Sequence, residues 1–355
     1  MRFGLFNLMN QWNLDQRDVY RGALDCTRLA EEIGFDIAWF AEHHFSNYSL
    51  CPSPLMMAAA AARETNKIRL GPAVIVAPLY NPIRLAEEVA LLDQLSEGRA
   101  VLGLGSGYQR FEFDAFGADL SERQERMLEI WRIVDQAVHE NRFEFSGKFY
   151  TLPAVPQAIS LYKPRRLDTF FVSWSPEIID HAVATGAVPF ITVGWGDTAA
   201  LTKMHDFVGE KYAEAGHSLA GRPFAAQRYV YVSEDRSELE RVAAGIRYAG
   251  RCAGHMRVGA QTLNGHVIED LPVEGEPSLA TIQASVPIGA PEVVAERLVN
   301  EIRTNGITDL SCFMWPAGIE AKAALRSMER FGRDVVPLVE KALREETAAP
   351  VQQVA

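Results

Sequence analysis

Long apolar runs are missing from this 355-residue chain. No stretch approaches the roughly 20 consecutive apolar residues of a membrane-spanning helix. The start, Met1-Arg2-Phe3-Gly4-Leu5-Phe6-Asn7, lacks the apolar core of a secretory signal. A basic surplus is missing too. Lys and Arg number 35 against 46 Asp and Glu, a formal charge of −11 that offers no stripe for nucleic acid. Cysteine is scarce, and Cys26, Cys51, Cys252 and Cys312 include no C-x-x-C pair, which argues against a zinc ribbon or a redox dithiol. A chain this large does not need disulfides. The expectation is a soluble, cytoplasmic protein with no nucleic-acid or membrane partner.

What is present is alternation. Short apolar, β-branched or aromatic segments read as strands at Arg2 to Leu8, Ile37 to Glu42, Ile68 to Val76, Ala100 to Gly105, Thr169 to Trp174, Val188 to Gly194, Ala226 to Val232 and Ile307 to Trp315. Between them apolar residues recur at helical spacing. The last helix places Leu325, Met328, Phe331, Val335 and Leu338 on one face. Eight strands, each followed by a helix, predict either a parallel barrel or a doubly wound sheet. Gly103-Leu104-Gly105-Ser106-Gly107-Tyr108 has Tyr where a dinucleotide fingerprint needs its last Gly, and no ribose-binding acid follows. The expected fold is therefore an α/β (β/α)8 TIM barrel as one domain over 1–345, with 346–355 as a frayed tail.

Such a barrel takes about 250 residues, so insertions are expected. One follows the fourth helix, at Glu140 to Asp168, and contains a hairpin over Phe143 to Tyr150 with a Ser-Gly turn. The other follows the seventh strand, at 250–289. It is rich in Gly, Pro and polar residues without clear periodicity, and reads as an active-site lid.

Catalytic residues of a barrel gather where strands end and βα loops begin. The second strand ends in Glu42-His43-His44-Phe45. Strand alternation sends Glu42 and His44 one way and His43 the other. Adjacent ligands converge poorly on one ion, which disfavours a metal. A loop-stabilising His pair stays open beside the favoured reading, a general acid or base or a group that steadies a flavin adduct. At the fourth strand, Gly105-Ser106-Gly107-Tyr108 lets backbone approach a flat ring or an anion, or merely relieves crowding at the rim. Ser173-Trp174-Ser175-Pro176 reads as a helix start, Ser175 capping and Pro176 in first position, with N–H groups available to a phosphate. Trp195 and Trp315 either wall an apolar pocket or pack in the core. The helix from Leu55 through Ala62 either meets a second subunit or lies on its own barrel.

Together these positions resemble the bacterial luciferase-like flavin monooxygenases, over nearly the whole chain. Arg2-Phe3-Gly4 resembles the family's opening strand, and Glu42-His43-His44-Phe45 its Glu-His-His-Phe stretch. Leu91-Leu92-Asp93-Gln94, Phe113-Asp114-Ala115-Phe116-Gly117 and Gly289-Ala290-Pro291-Glu292 match in spacing. The resemblance implies a barrel that binds reduced FMN, forms a C4a-peroxyflavin with O2 and oxidises a small organic substrate. It implies His43 as the main catalytic group, with Glu42 and His44 supporting the flavin site and Glu42 among the cofactor-binding residues, and a non-prolyl cis peptide at Ala73-Val74 beneath the flavin ring. Ser175 and the Trp174 backbone would hold the phosphate, 250–289 would be the lid, and the second and third barrel helices would form a homodimer interface.

The chain departs from the family at Gly105-Ser106-Gly107, where the luciferase catalytic subunit has Cys-Arg-Gly, and at Trp174, where a Glu is usual. A bidentate phosphate contact is lost unless Arg110 or another cation replaces it, and light emission from long-chain aldehydes is not expected. With no NAD(P)H site in the sequence, reduced flavin is expected from a separate reductase. An F420-dependent dehydrogenase or reductase of the same fold, and a non-catalytic flavin-binding relative, are the alternatives.

Overall fold

The computed structural model describes residues 1–347, and the rest of the expected tail lies outside them. Eight parallel strands surround one axis. They are β1 (Arg2–Asn7), β2 (Ile37–Phe40), β3 (Arg69–Pro72, resuming at Ile75–Val76), β4 (Leu102–Gly105), β5 (Thr169–Val172), β6 (Val188–Thr192), β7 (Ala225–Tyr229) and β8 (Asp309–Phe313). The sheet runs from the first half of β3 through β2, β1, β8, β7, β6, β5 and β4 to the second half of β3. A parallel bridge between Leu70 and Ala100 joins the two ends. Gly71 and Gly103 permit that closure, because a Cβ on either would stand 2.2 Å from a carbonyl oxygen of the facing strand.

Most strands are shorter than the sequence predicts. β3 is interrupted at Ala73-Val74, whose peptide is cis, and β7 stops at Tyr229 before Tyr231–Val232 pairs with Ile288–Gly289. The barrel interior is packed with Trp39, Phe170 and Phe190 between smaller residues. It is a filled core and not a pore.

Helices α1 (Gln16–Glu32), α2 (Pro54–Ala62), α3 (Pro82–Leu95), α4 (Arg110–Phe116), α5 (Arg123–His139), α6 (Pro176–Thr185), α7 (Thr198–Glu214) and α8 (Arg236–Val258) follow in chain order. Then come α9 (Leu279–Ser285), α10 (Pro291–Asn305), α11 (Ala321–Arg330) and α12 (Val336–Thr347). Asp15, Ser53, Asn81, Ser175 and Asp235 cap their helices with side-chain oxygens, and Pro occupies the first turn of α2, α3 and α6. Three alanines of α2 face inward: Ala58, Ala61 and Ala62 are buried, while Met56 and Ala60 are exposed. None of the described helices is long and apolar enough to cross a membrane.

The first insertion is the expected antiparallel hairpin, Arg142–Ser146 with Thr151–Pro156. Glu129 of α5 fastens it by accepting the Lys148, Phe149 and Tyr150 amides at 2.6, 2.9 and 3.2 Å. The second insertion corrects the sequence reading, because residues 250–258 continue α8 instead of forming a loop. Gly245 and Gly250 obscured the helix. Both are there for packing, since a Cβ would meet the Ala317 carbonyl or the Trp195 ring at 2.0 Å. Beyond α8 the insertion carries a small hairpin, Leu263–Asn264 with Val267–Ile268, and then α9. A second correction concerns the last helical stretch. A wide π turn at Phe331–Val335 shifts the register, so Val339 is buried and Leu338 exposed.

Candidate active site

β2 ends at Phe40, and the chain leaves the sheet through Ala41. Glu42 folds back under the rim with its side chain buried. It accepts the Val76 amide and the Tyr80 hydroxyl, each at 3.0 Å, and its other oxygen lies 3.0 Å from His44 Nε2. Burial pushes the Glu42 carboxyl up, and the His44, Val76 and Tyr80 contacts oppose the rise. The His44 ring meets Phe116 edge-on at 4.7 Å. Glu42 and His44 therefore brace β2 against β3 and α4. They contact each other and not the His43 ring. Phe45 then takes a left-handed conformation, φ 61°, which ends the extended segment.

His43 turns the opposite way, as alternation requires. Its ring lies edge-on to Tyr48 at 4.8 Å and to Tyr108 at 6.4 Å. Nδ1 is 3.2 Å from Glu112 Oε1 and 3.1 Å from Gln109 Nε2. The same Glu112 oxygen accepts the His44 amide at 2.9 Å. Nε2 of His43 has no hydrogen-bond partner among the described residues. Sequence reading missed Glu112 and Gln109. The available signal was a lone acid between Phe111 and Phe113 on a helix directly after the glycine loop. Burial pushes the Tyr48 and Tyr229 phenols up, helped by neighbouring phenols and the Cys252 thiol, so both remain hydroxyl donors. Tyr229 stacks on Phe313 at 4.7 Å.

The glycine loop divides into two roles. A Cβ on Gly105 would stand 2.5 Å from Val74 Cγ2, and one on Gly107 would meet Phe113 at 2.6 Å and Val76 at 2.7 Å. These glycines seat the cis Ala73-Val74 segment and α4. Between them Ser106 is buried, and its hydroxyl accepts from Ser173 at 3.4 Å. Ser175 caps α6 through the Ile178 amide at 3.4 Å, and its carbonyl receives Ile179. With Pro176 lacking a proton, the Glu177 amide is the free N–H of that first turn. Trp174 is partly buried, its ring 5.5 Å from that of Phe171. Arg110 reaches only Asp114 at 4.0 Å, on the exposed side of α4. The Arg257 guanidinium lies 5.8 Å from the Tyr108 ring centre.

Both tryptophans considered as pocket walls are packed. Trp315 fills the space over Gly22 and donates to the Ile319 carbonyl at 2.8 Å, and Trp195 lies against Gly250.

Asn47, four residues beyond His43, joins this loop to the second insertion. Its amide donates to the His266 carbonyl at 2.8 Å, and its Oδ1 accepts from Ile268 N at 2.9 Å. Its Nδ2 donates to the Gln11 carbonyl at 2.9 Å and to Tyr248 Oη at 2.8 Å.

The chain matches the luciferase-like monooxygenase family model over residues 1–309. It is 32% identical over 349 residues to the uncharacterized protein y4vJ of Sinorhizobium fredii, covering 97% of this chain and 99% of that one. It is 25% identical to the alkanal monooxygenase alpha chain of the Kryptophanaron alfredi symbiont, covering 96% and 99%. It is also 25% identical to the oxygenase component of the flavin-dependent trigonelline monooxygenase of Acinetobacter baylyi, covering 68% and 67%. Among solved structures, monooxygenase RslO1 of Streptomyces bottropensis superposes with a TM-score of 0.78 at 19% identity, over 95% of this chain and 99% of that one. The oxygenating constituent of 3,6-diketocamphane monooxygenase of Pseudomonas putida, in complex with FMN, gives 0.73 at 19% identity over 96% and 98%. An F420-dependent secondary alcohol dehydrogenase gives 0.71 at 17% identity over 95% and 98%. The structural likenesses speak for the barrel, and the family model for kinship: this chain belongs to the luciferase-like monooxygenase family.

Proposed function

We propose that this protein is a reduced-FMN-dependent monooxygenase that places one oxygen atom of O2 on a small organic substrate and releases the other as water. The observation that carries the reading is His43, whose Nδ1 lies within hydrogen-bond distance of the Glu112 carboxylate and the Gln109 amide, one of which it pairs with in each tautomer, whose Nε2 has no partner among the described residues, and whose ring sits edge-on to Tyr48 and Tyr108. The kinship with a named oxygenase component supports delivery of reduced flavin by a separate reductase. Four free, buried cysteines suit a reducing cytoplasm.

The residues fit a flavin. The Ser106 and Ser173 hydroxyls, the Glu177 amide and the backbone at Trp174 and Ser175 would take the phosphate. Ala73 and Val74, seated over Gly105, would form the wall beneath the ring. Buried amide atoms of Gln109 and Gln227 have no protein partner among the described residues, as expected where a polar ligand completes a site. Reduced flavin, when bound, supplies the two electrons that activate oxygen. His43 Nε2 holds or passes a proton at the reacting edge, and Glu42 with His44 fixes the loop that carries it. The segment from Gly259 to Pro287, tied to the His43 loop through Asn47, acts as the lid that excludes water.

F420-dependent hydride transfer is the second reading, favoured by the F420-dependent dehydrogenase that shares the fold at a similar TM-score. Titration of the full chain with FMN and with F420, followed by oxygen uptake with reduced FMN and a substrate panel, separates the two. Reduced FMN should support substrate-dependent oxygen uptake. His43→Ala should lower product formation about 100-fold, as loss of a proton-transfer group does, with the protein still folded and still binding FMN. Tight F420 binding with oxygen-independent turnover would overturn the monooxygenase reading. Normal product yield from His43→Ala would remove His43 from the chemistry.

A further inference from the structure

One amide interrupts the aromatic filling of the barrel. Gln227 on β7 is in register with Thr192 of β6 and Ser311 of β8. Ser311 faces the interior, because its hydroxyl and the Trp39 indole nitrogen both lie 3.3 Å from where a Cβ on Gly4 would stand. Neighbours in register on parallel strands point to the same side. Gln227 therefore points inward, two residues closer to the mouth than Ala225 and two below Tyr229. Arg228, between them, points outward and forms a fully buried ion pair with Glu301 at 2.8 Å. That pair, on the opposite face of the strand, fixes which way Gln227 turns.

The Gln227 side chain is 95% buried, with 5% exposed. Its Oε1 accepts the Thr192 hydroxyl at 2.6 Å. Nε2 has no hydrogen-bond partner among the described residues. Exchanging the two amide ends would let Thr192 accept from Nε2, but Oε1 would then be the orphan. In either orientation one end of the amide is unmatched by protein. A leucine of similar size would avoid that cost, so the amide is explained by something that enters from the mouth.

We propose that Gln227 donates from Nε2 to a carbonyl oxygen on the pyrimidine half of the flavin, and so sets how deep and in which orientation the ring sits. This inference rests on the flavin reading above. Thr192 is the positioning group, since its hydroxyl holds Oε1 and aims Nε2 away from the β6 side. An ordered water satisfying the amide is the competing outcome, and it predicts indifference to the flavin's carbonyls.

The test compares wild type with Gln227→Leu in the full chain, reading the quenching of protein tryptophan fluorescence by FMN, 2-thio-FMN and 4-thio-FMN. Sulfur is a poor acceptor, so each analogue deletes one carbonyl from the ligand side. Wild type should bind FMN about tenfold more tightly than one of the two analogues. Gln227→Leu should bind FMN about tenfold more weakly than wild type and lose the discrimination against that analogue. Its melting temperature without flavin should equal or exceed that of wild type, since an unmatched amide has been removed. Equal FMN affinity in the two proteins, or the same analogue discrimination in both, overturns the assignment. Wild type that binds no FMN at all instead fails the flavin reading itself, and this inference falls with it. A poorly folded Gln227→Leu is replaced by Thr192→Val, which frees Oε1 and should weaken FMN binding while lowering the discrimination in the same direction.

Discussion

Glu112 joins two consecutive residues of the histidine loop, accepting the His44 amide and lying against His43 Nδ1. Its two contacts can be separated by substitution. Glu112→Ala leaves the buried His44 N–H unpaired and should cost about 1–3 kcal/mol of stability. Glu112→Gln keeps a carbonyl for that N–H and should cost less than about 1 kcal/mol, yet it replaces an ionisable carboxyl beside Nδ1 with an amide. Turnover in Glu112→Gln should therefore fall about tenfold or more although the protein stays folded. Chemical denaturation and steady-state product formation check the pair of variants. Equal turnover in Glu112→Gln and wild type would reduce Glu112 to a structural brace. At this scale the sequence was informative where chemistry is written in adjacent residues. Glu42, His43 and His44 are contiguous, and strand alternation alone separates His43 from the other two. Glu112 and Gln109 come from a different βα loop, and Gln227 from the far side of the barrel. A polar residue inside an apolar strand carries no label for the direction it faces until the register is known.

Elements show a different division. The strand order was legible because each strand is a short apolar run between capped helices, and Ser53, Asn81 and Ser175 announce their helices openly. The continuation of α8 was not, because Gly245, Gly250 and Gly254 look like loop residues until the Trp195 ring and the Ala317 carbonyl are placed against the first two. The π turn at Phe331–Val335 was likewise invisible to a strict helical period. The seam between α5 and α6 yields a pH prediction. His181 on α6 lies edge-on to Trp131 at 4.7 Å, its Nε2 lacks a partner among the described residues, and burial pushes it down to about 4 from 6.5. A base depressed on folding contributes stability above its unfolded value and loses it as pH falls through the folded one. The window is thus from 6.5 down to about 4. Nearby groups titrate elsewhere: His139 is raised by its bond to Asp135, and Asp135 is held below 3.8 despite burial, by His139 and Arg166. The full displacement corresponds to about 3 kcal/mol, and partial solvent access reduces it to about 1–2 kcal/mol. His181→Phe keeps a ring on Trp131 and should lose less stability than wild type between pH 7 and 4.5, by that amount. Parallel pH profiles in urea denaturation would sink the assignment.

On the scale of the whole molecule, the surface carries its apolar groups unevenly. Met56 on α2 is 72% exposed, and Leu91 and Leu95, one turn apart on α3, are 45% and 41% exposed. The two helices are adjacent on the barrel wall. Lone exposed apolar side chains are ordinary, but three on adjoining helices in a chain of net charge −11 mark the face where a second copy costs least to bring close. Ala58, Ala61 and Ala62 are already spent on the barrel, so self-association falls to Met56, to Ala60 one turn beyond it, and to the α3 leucines. We propose a homodimer across α2 and α3, with a buried face of about 800 Å2 per copy. Light scattering on the eluting protein should give twice the 39.4 kDa chain mass. Met56→Asp combined with Leu91→Asp should return it to the chain mass without lowering the melting temperature of the monomer, since both side chains are exposed in the single chain. Phe116→Asp serves as the control, because Phe116 is also exposed but belongs to the aromatic patch beside His44 and Phe45. A dimer that survives the first pair and is lost with Phe116→Asp moves the interface to the barrel mouth. Each copy would then close over the other's site, and turnover should fall with dilution.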